Sequence, residues 1–195
     1  MKVRLIGFVG ILVIVAALIA APVSAGGSTS GSSAVLGNPS SYASIALNST
    51  TVVLGPGGVM PPGASSSNQS LGINVTCNER YTITVADNTG RPAATLGYMG
   101  NYTSPIYGNS TVTGLNTTLT APLQLAGTTN ATASVTGSTI TPPITTGSTL
   151  YSSAQPSNNL ILAPNTFTQP VTYYDPVLPT SSTYRIDLLF TLTYP

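Results

Sequence analysis

Residues 183–194, T-Y-R-I-D-L-L-F-T-L-T-Y, carry the pattern that decides the fold class. Tyr184, Ile186, Leu188, Phe190, Leu192 and Tyr194 fall on every second position, with Arg185, Asp187, Thr191 and Thr193 between them. Successive side chains of a β-strand point to opposite faces, so the pattern predicts one strand with an apolar inner face and a mostly polar outer face. Leu189 is apolar on the outer face. It is either a single exposed leucine or a spot that another strand or subunit covers. Only Pro195 follows, so the strand is expected to close the fold as a main wall of its core.

The second clearest alternation lies earlier. Leu71, Ile73, Val75 and Cys77 alternate, Asn78-Glu79-Arg80 interrupt, and Tyr81, Ile83 and Val85 alternate again. This predicts a β-hairpin with a three-residue loop. Shorter strand candidates are 43–47, 51–54, 110–119, 123–126, 133–135, 160–163 and 167–173, whereas 136–159 reads mainly as loop. No stretch after residue 25 has a 3.6-residue apolar period, and 19 Gly and 16 Pro punctuate the chain. Many short strands between Gly/Pro turns predict an all-β chain, a single antiparallel β-sandwich of Ig-like or jelly-roll type over residues 43–195.

The N-terminus reads as an address. Lys2 and Arg4 precede an almost wholly apolar run, Leu5 to Ala21, and Val23-Ser24-Ala25 makes a small-x-small site. Residues 1–25 are therefore expected to be a secretory signal peptide, the alternative being an uncleaved membrane anchor. Residues 26–42 begin G-G-S-T-S-G-S-S and read as a flexible Gly/Ser-rich segment. The expected location is extracellular, at the cell surface.

Charge narrows the partners. The chain has five Lys plus Arg, four Asp plus Glu and no His, or 5% charged residues against about 25% in typical soluble domains. Beyond residue 25 the cations are Arg80, Arg91 and Arg185, too few to track phosphates, so nucleic acid is not an expected partner. Near-zero net charge leaves little self-repulsion and permits self-association into a filament or surface layer.

Catalysis is not expected. Without His there is no Ser-His-Asp or Cys-His arrangement. Glu79 and Asp87 read as turn residues, Asp175 as part of a Y-Y-D-P turn and Asp187 as outward-facing, so no glycosidase pair emerges. With one Cys, Cys77, neither an intramolecular disulfide nor a zinc site is available, and a calcium site around Asp87-Asn88 would have only two side chains, fewer than an ordinary site uses. No metal or other cofactor is expected. Cys77 reads as a small core residue, in phase with Leu71, Ile73 and Val75. Lysine is absent after position 2, which excludes Lys–Asn isopeptide cross-links. So few titratable groups also predict a fold that persists into acid.

Two features could carry recognition or modification. Asn-x-Ser/Thr sequons occur at Asn48, Asn68, Asn74, Asn101, Asn109, Asn116 and Asn130. A chain this rich in Asn, Ser and Thr produces some by chance, but glycans would supply the hydration that charges do not. Tyr98, Tyr102 and Tyr107 lie in a Gly-rich loop, 96–109. They either recognise a glycan or protein or cover one end of the core.

Three stretches together resemble secreted β-sandwich surface proteins of prokaryotes: S-I-A-L-N-S-T-T-V-V-L-G at 44–55, L-G-I-N-V-T-C-N-E-R-Y-T-I-T-V-A-D-N at 71–88, and the run from Gln169 to Tyr194. The chain is similar to subunits of archaeal threads and bundling pili, and more distantly to WxL-type surface domains, whose Trp motif it lacks. The resemblance implies a secreted, glycosylated structural subunit joined to its neighbours by donor-strand addition, with a segment of about Ala34 to Leu54 as donor. It carries over no catalytic residue. The alternatives are an adhesin or carbohydrate-binding module using loop 96–109, and a monomeric envelope-associated protein.

Overall fold

The computed structural model describes residue 37 and residues 39–103, 106–107, 118–140, 144, 147–179 and 182–195. The signal segment, Asn109 and Asn116 therefore lie outside the described residues, as does most of the 110–119 strand candidate. The fold is all-β and sandwich-like. Five strands form one antiparallel sheet: β1 (Ala43–Leu47), β2 (Ala64–Cys77), β6 (Gln124–Gly127), β8 (Thr139–Ile140) and β10 (Ser157–Val171), in the order β1-β2-β10-β6-β8. Four form a second: β3 (Tyr81–Asp87), β7 (Val135–Gly137), β9 (Ser148–Ser153) and β12 (Leu188–Thr193), in the order β12-β3-β9-β7. A small third sheet joins β4 (Gly100–Thr103), β5 (Ile106–Tyr107) and β11 (Thr183–Arg185), in the order β11-β4-β5. Helical structure among the described residues is limited to three short 3-10 turns.

Alternation predicts the faces correctly and two pairings wrongly. Leu71, Ile73, Val75 and Cys77 of β2 and Tyr81, Ile83 and Val85 of β3 are all buried in one core. The two strands do not form a hairpin, however. β2 pairs with β1 and β10, while β3 pairs with β12 and β9, so Asn78–Arg80 carries the chain from one sheet to the other. A period of two states which side chains share a face. It is silent about which strand lies alongside.

The closing stretch is divided in the same way. Residues 183–185 pair with β4, residues 188–193 pair with β3, and Ile186-Asp187 is the crossing. The crossing is held by Arg185, whose Nε donates to Asp187 Oδ1 at 2.8 Å, and by the Asn88 N–H, which donates to the Asp187 carbonyl at 2.8 Å. The alternation runs on through the break because the inner face is unchanged while the pairing partner changes.

The stretch read as loop, 136–159, contains β8, β9 and parts of β7 and β10. Leu150 and Tyr151 of β9 are fully buried there. Tyr151 is the largest fully buried side chain, and its hydroxyl donates to Asn165 Oδ1 on β10 at 2.7 Å and accepts from the Thr128 N–H at 3.2 Å. Asn165 Nδ2 in turn donates to the carbonyls of Leu71 and Leu162 at 3.0 and 2.9 Å. This satisfied polar network crosses between the two sheets. Gly127 makes room for it, since a Cβ there would lie 2.7 Å from the Tyr151 ring. A second tie joins the Tyr81 and Ser157 hydroxyls at 2.9 Å. Cys77 is buried and free.

The stretch Ala34–Leu54 is also divided. Residues 43–47 pair with β2 of their own chain and Leu54 is buried in their own core, while 51–54 forms no strand. Any donor role therefore falls to residues ahead of β1, and the compact unit begins at Pro39.

Candidate functional site

β12 is an edge strand and borders a concave surface. Its neighbour β3 buries every inward residue, whereas Leu188, Phe190 and Leu192 of β12 are only partly buried against the core. Tyr184 and Ile186 are likewise partly buried, and Tyr194 is exposed. Beside this wall opens an apolar groove of about 1090 Å³. Leu54, Met60, Leu71, Phe167, Leu188 and Phe190 are among the residues that line it. Its rim exposes Val53, Val59, Tyr173 and Val177.

The loop from Thr172 to Pro179 forms part of that rim and is pinned in three ways. Asp175 accepts the Thr120 N–H and hydroxyl at 2.6 Å each, and the Thr172 N–H and hydroxyl at 2.6 and 3.0 Å. Burial pushes the Asp175 carboxyl up, but these hydrogen bonds outweigh it and leave the group below its ordinary value. The Tyr184 hydroxyl donates to the Pro176 carbonyl at 2.8 Å. Burial, and then the negative charge of Asp175, push that hydroxyl up to about 12. The third tie is the Ser182 N–H, which donates to the Pro179 carbonyl at 2.9 Å. On this fixed loop Tyr173, Tyr174 and Val177 are 81%, 91% and 94% exposed.

The tyrosines singled out by sequence lie elsewhere. Tyr98 and Tyr102 are half-buried, the Arg185 guanidinium sits 4.4 Å over the Tyr102 ring, and the Tyr98 carbonyl accepts from Arg91 Nη2. Tyr107 belongs to β5, in register with Tyr102. Tyr173 and Tyr174 are more exposed than Tyr98 and Tyr102.

Asp87 also differs from its reading as a turn residue. Its side chain is fully buried, 3.5 Å from Arg91, and accepts the Thr89 and Gly97 N–H groups at 2.9 and 2.7 Å. It is the last inward residue of β3, and its work is structural.

The sequons sort by exposure. Asn101 is fully buried, so a glycan there is incompatible with this fold. Asn48 is exposed; its side chain donates to the Ser70 carbonyl at 3.0 Å and accepts the Gly72 N–H at 2.8 Å, extending the β1 ladder. Asn68 is half-buried, with Nδ2 on the Val53 carbonyl, and Asn74 Nδ2 donates to Asn159 across β2 and β10. Asn130 is half-buried and caps a 3-10 turn through its Oδ1, which accepts the Ala133 N–H at 3.1 Å.

No family model, curated protein or solved structure matches this chain. The site is thus read from its own chemistry. Among the described residues no three His, Cys, Asp or Glu side chains gather to hold a metal. The groove offers apolar walls, an edge strand and a rigid rim, which suit binding of a neutral extended segment.

Proposed function

We propose that this chain is a secreted structural protein of the cell surface, a filament subunit of Ig-like or jelly-roll type that joins its neighbours by strand addition. The observation that carries the reading is the groove beside β12. An edge strand offers unpaired main-chain groups, and an apolar groove next to it offers pockets for alternate side chains of an added strand. Exposed apolar grooves of this kind mark interaction sites in soluble proteins. The low charge and the resemblance to archaeal thread and pilus subunits support self-association. Glycans at exposed sequons such as Asn48 would hydrate the assembled surface.

Electron microscopy of the secreted mature protein tests this. Filaments are expected, and deletion of residues 26–38, which spares β1, should leave compact monomers. A full-length mature protein that stays monomeric at high concentration would sink the reading.

The adhesin alternative keeps one observation, the rigid display of Tyr173 and Tyr174. Neutral-glycan binding that is lost in Tyr174→Ala, with filament formation unchanged, would establish it beside the structural role.

A further inference from the structure

The outer face of the β12-β3-β9-β7 sheet carries a row of hydroxyls, one from each strand. Alternation turns Tyr81 and Ile83 of β3 inward and Thr82 outward, and on β12 it sets Leu192 inward and Thr193 outward. Register then brings the outward residues into line: Thr193 lies opposite Thr82, Thr82 opposite Ser152, and Ser152 opposite Thr136. Neighbouring strands are about 4.8 Å apart, so the row runs for about 14 Å. Thr136, Ser152 and Thr193 are exposed and Thr82 is half-buried. Among the described residues none of these four hydroxyls is hydrogen-bonded to the protein.

The row is the floor of an open depression of about 640 Å³, which Arg80, Ser134 and Tyr194 also line. Arg80 and Ser134 come one step beyond the last register pairs, Tyr81 with Ser153 and Val135 with Ser153. Arg80 is exposed. Arg91 is paired with Asp87 and Arg185 with Asp187, whereas no carboxylate among the described residues pairs with Arg80. No Asp or Glu lines the depression. The mounts on both sides are fixed. Arg80 follows Asn78, whose Oδ1 accepts the Tyr42 N–H at 2.7 Å and whose Nδ2 donates to the Ser40 carbonyl at 2.9 Å. Ser134 is held at φ 56° and donates its N–H to the Ala131 carbonyl at 3.2 Å.

We propose that this depression binds an acidic oligosaccharide laid across the four strands, with the carboxylate of a uronic acid residue on Arg80. The guanidinium fork matches a planar carboxylate, and an unpaired cation with no acid around it selects an anion. A single cation cannot track a polyanion, which sets this site apart from a nucleic-acid surface. Hydroxyls both donate and accept, as the hydroxyls of a sugar require. The Thr methyls and the Tyr194 ring, 41% exposed, offer apolar surface to the C–H face of a pyranose. The strand spacing is close to the length of one pyranose residue in an extended chain, so four strands suit a tetrasaccharide. The volume is that of an ordinary small-ligand site. Strand addition is not needed for this site: Leu188 and Phe190 line the groove, whereas Thr193 lies on the opposite face of the same strand.

The test is calorimetric titration of the full secreted chain with tetragalacturonic acid, and with its fully methyl-esterified form. The acid should bind one per chain, less tightly as salt is added, and the ester about tenfold more weakly or worse. Arg80→Gln should weaken binding of the acid about tenfold or more, the share of a hydrogen bond to a charged group. Arg80→Lys, which keeps the charge without the fork, should restore only part of it. Thr82→Val, which keeps the shape, should weaken binding about threefold. Backbone amide shifts on binding should cluster at residues 80–82, 134–136, 152–154 and 193–194. Equal affinity for acid and ester, or unchanged affinity in Arg80→Gln, overturns the proposal. So does a lack of binding at millimolar acid, or a shift pattern centred on residues 172–179. Filament formation should be the same in Arg80→Gln as in the unsubstituted chain, so failure of this site leaves strand addition standing.

Discussion

β3 and β12 lie side by side, pair in an unbroken antiparallel register and share an alternating sequence, yet they are buried differently. Tyr81, Ile83, Val85 and Asp87 of β3 are all buried, while Leu188, Phe190 and Leu192 opposite them are half-covered. The difference is position in the sheet. β3 has β9 on one side and β12 on the other, whereas β12 ends the sheet and borders the groove. Equal hydrophobicity thus builds a core wall in one strand and a half-covered groove wall in the next.

The largest effect should come from the polar end of the buried face. Asp87→Ala removes the counter-charge of the Arg91 side chain, itself only 7% exposed, and the acceptor of the Thr89 and Gly97 N–H groups, and should cost about 3–5 kcal/mol in a chemical-denaturation midpoint analysis. A loss under 1 kcal/mol would show that β3 does not depend on this pair.

The direct comparison comes next. Ile83→Ala should cost about 2–5 kcal/mol, because it leaves a sealed cavity. Leu188→Ala should cost about 1–2 kcal/mol, because its side chain is only part-buried and the groove already admits water. Equal losses would mean that the groove is filled in solution. Leu188→Ala should instead weaken filament formation more than Ile83→Ala does, once both are compared at equal fraction folded.

On the far flank of β3, Tyr151→Phe removes one hydroxyl from the cross-sheet network and leaves Asn165 Oδ1 without its donor. A loss of about 1–3 kcal/mol is expected. Burial also raises the Tyr151 hydroxyl above its ordinary value, although its bond with the Thr128 N–H lowers it in part.

The smallest effects are those of pH at the groove rim. Tyr184 is raised to about 12, so its contribution is complete below the ordinary tyrosine value of 10.0 and is lost as pH rises through about 12. Asp175 is lowered, so its contribution is complete above the ordinary 3.8 and fades as pH falls below that value. Melting temperature should therefore sag only at the two extremes. Tyr184→Phe should flatten the alkaline limb and Asp175→Asn the acid limb. A steep loss between neutral pH and 3.8 would contradict both this assignment and the acid tolerance expected from so few titratable groups.

Much of this molecule was legible in its residues. Alternation at 71–77, 81–85 and 184–192 identified strands and their inward faces, because a period of two is a property of the local backbone. Composition spoke against His-based catalysis, because no fold of this chain can supply a side chain it lacks. Short or irregular strands were less legible. β9 has only Leu150 and Tyr151 as large apolar residues, and β10 continues through Pro164, in the gap between the 160–163 and 167–173 candidates, by shifting its register against β2 on either side.

What required the folded chain was everything that depends on neighbours distant in sequence. Asp87 is buried because Arg91 and the Gly97 N–H meet it, and Tyr98 and Tyr102 are engaged because Arg91 and Arg185 reach them. Residues 183–194 were recognisable as apolar on one side from their order alone. That they split between two sheets, and that the second part stands at an edge beside an open groove, follows from which strands pair with β3 and β4. Pairing is a long-range choice that a two-residue period does not encode.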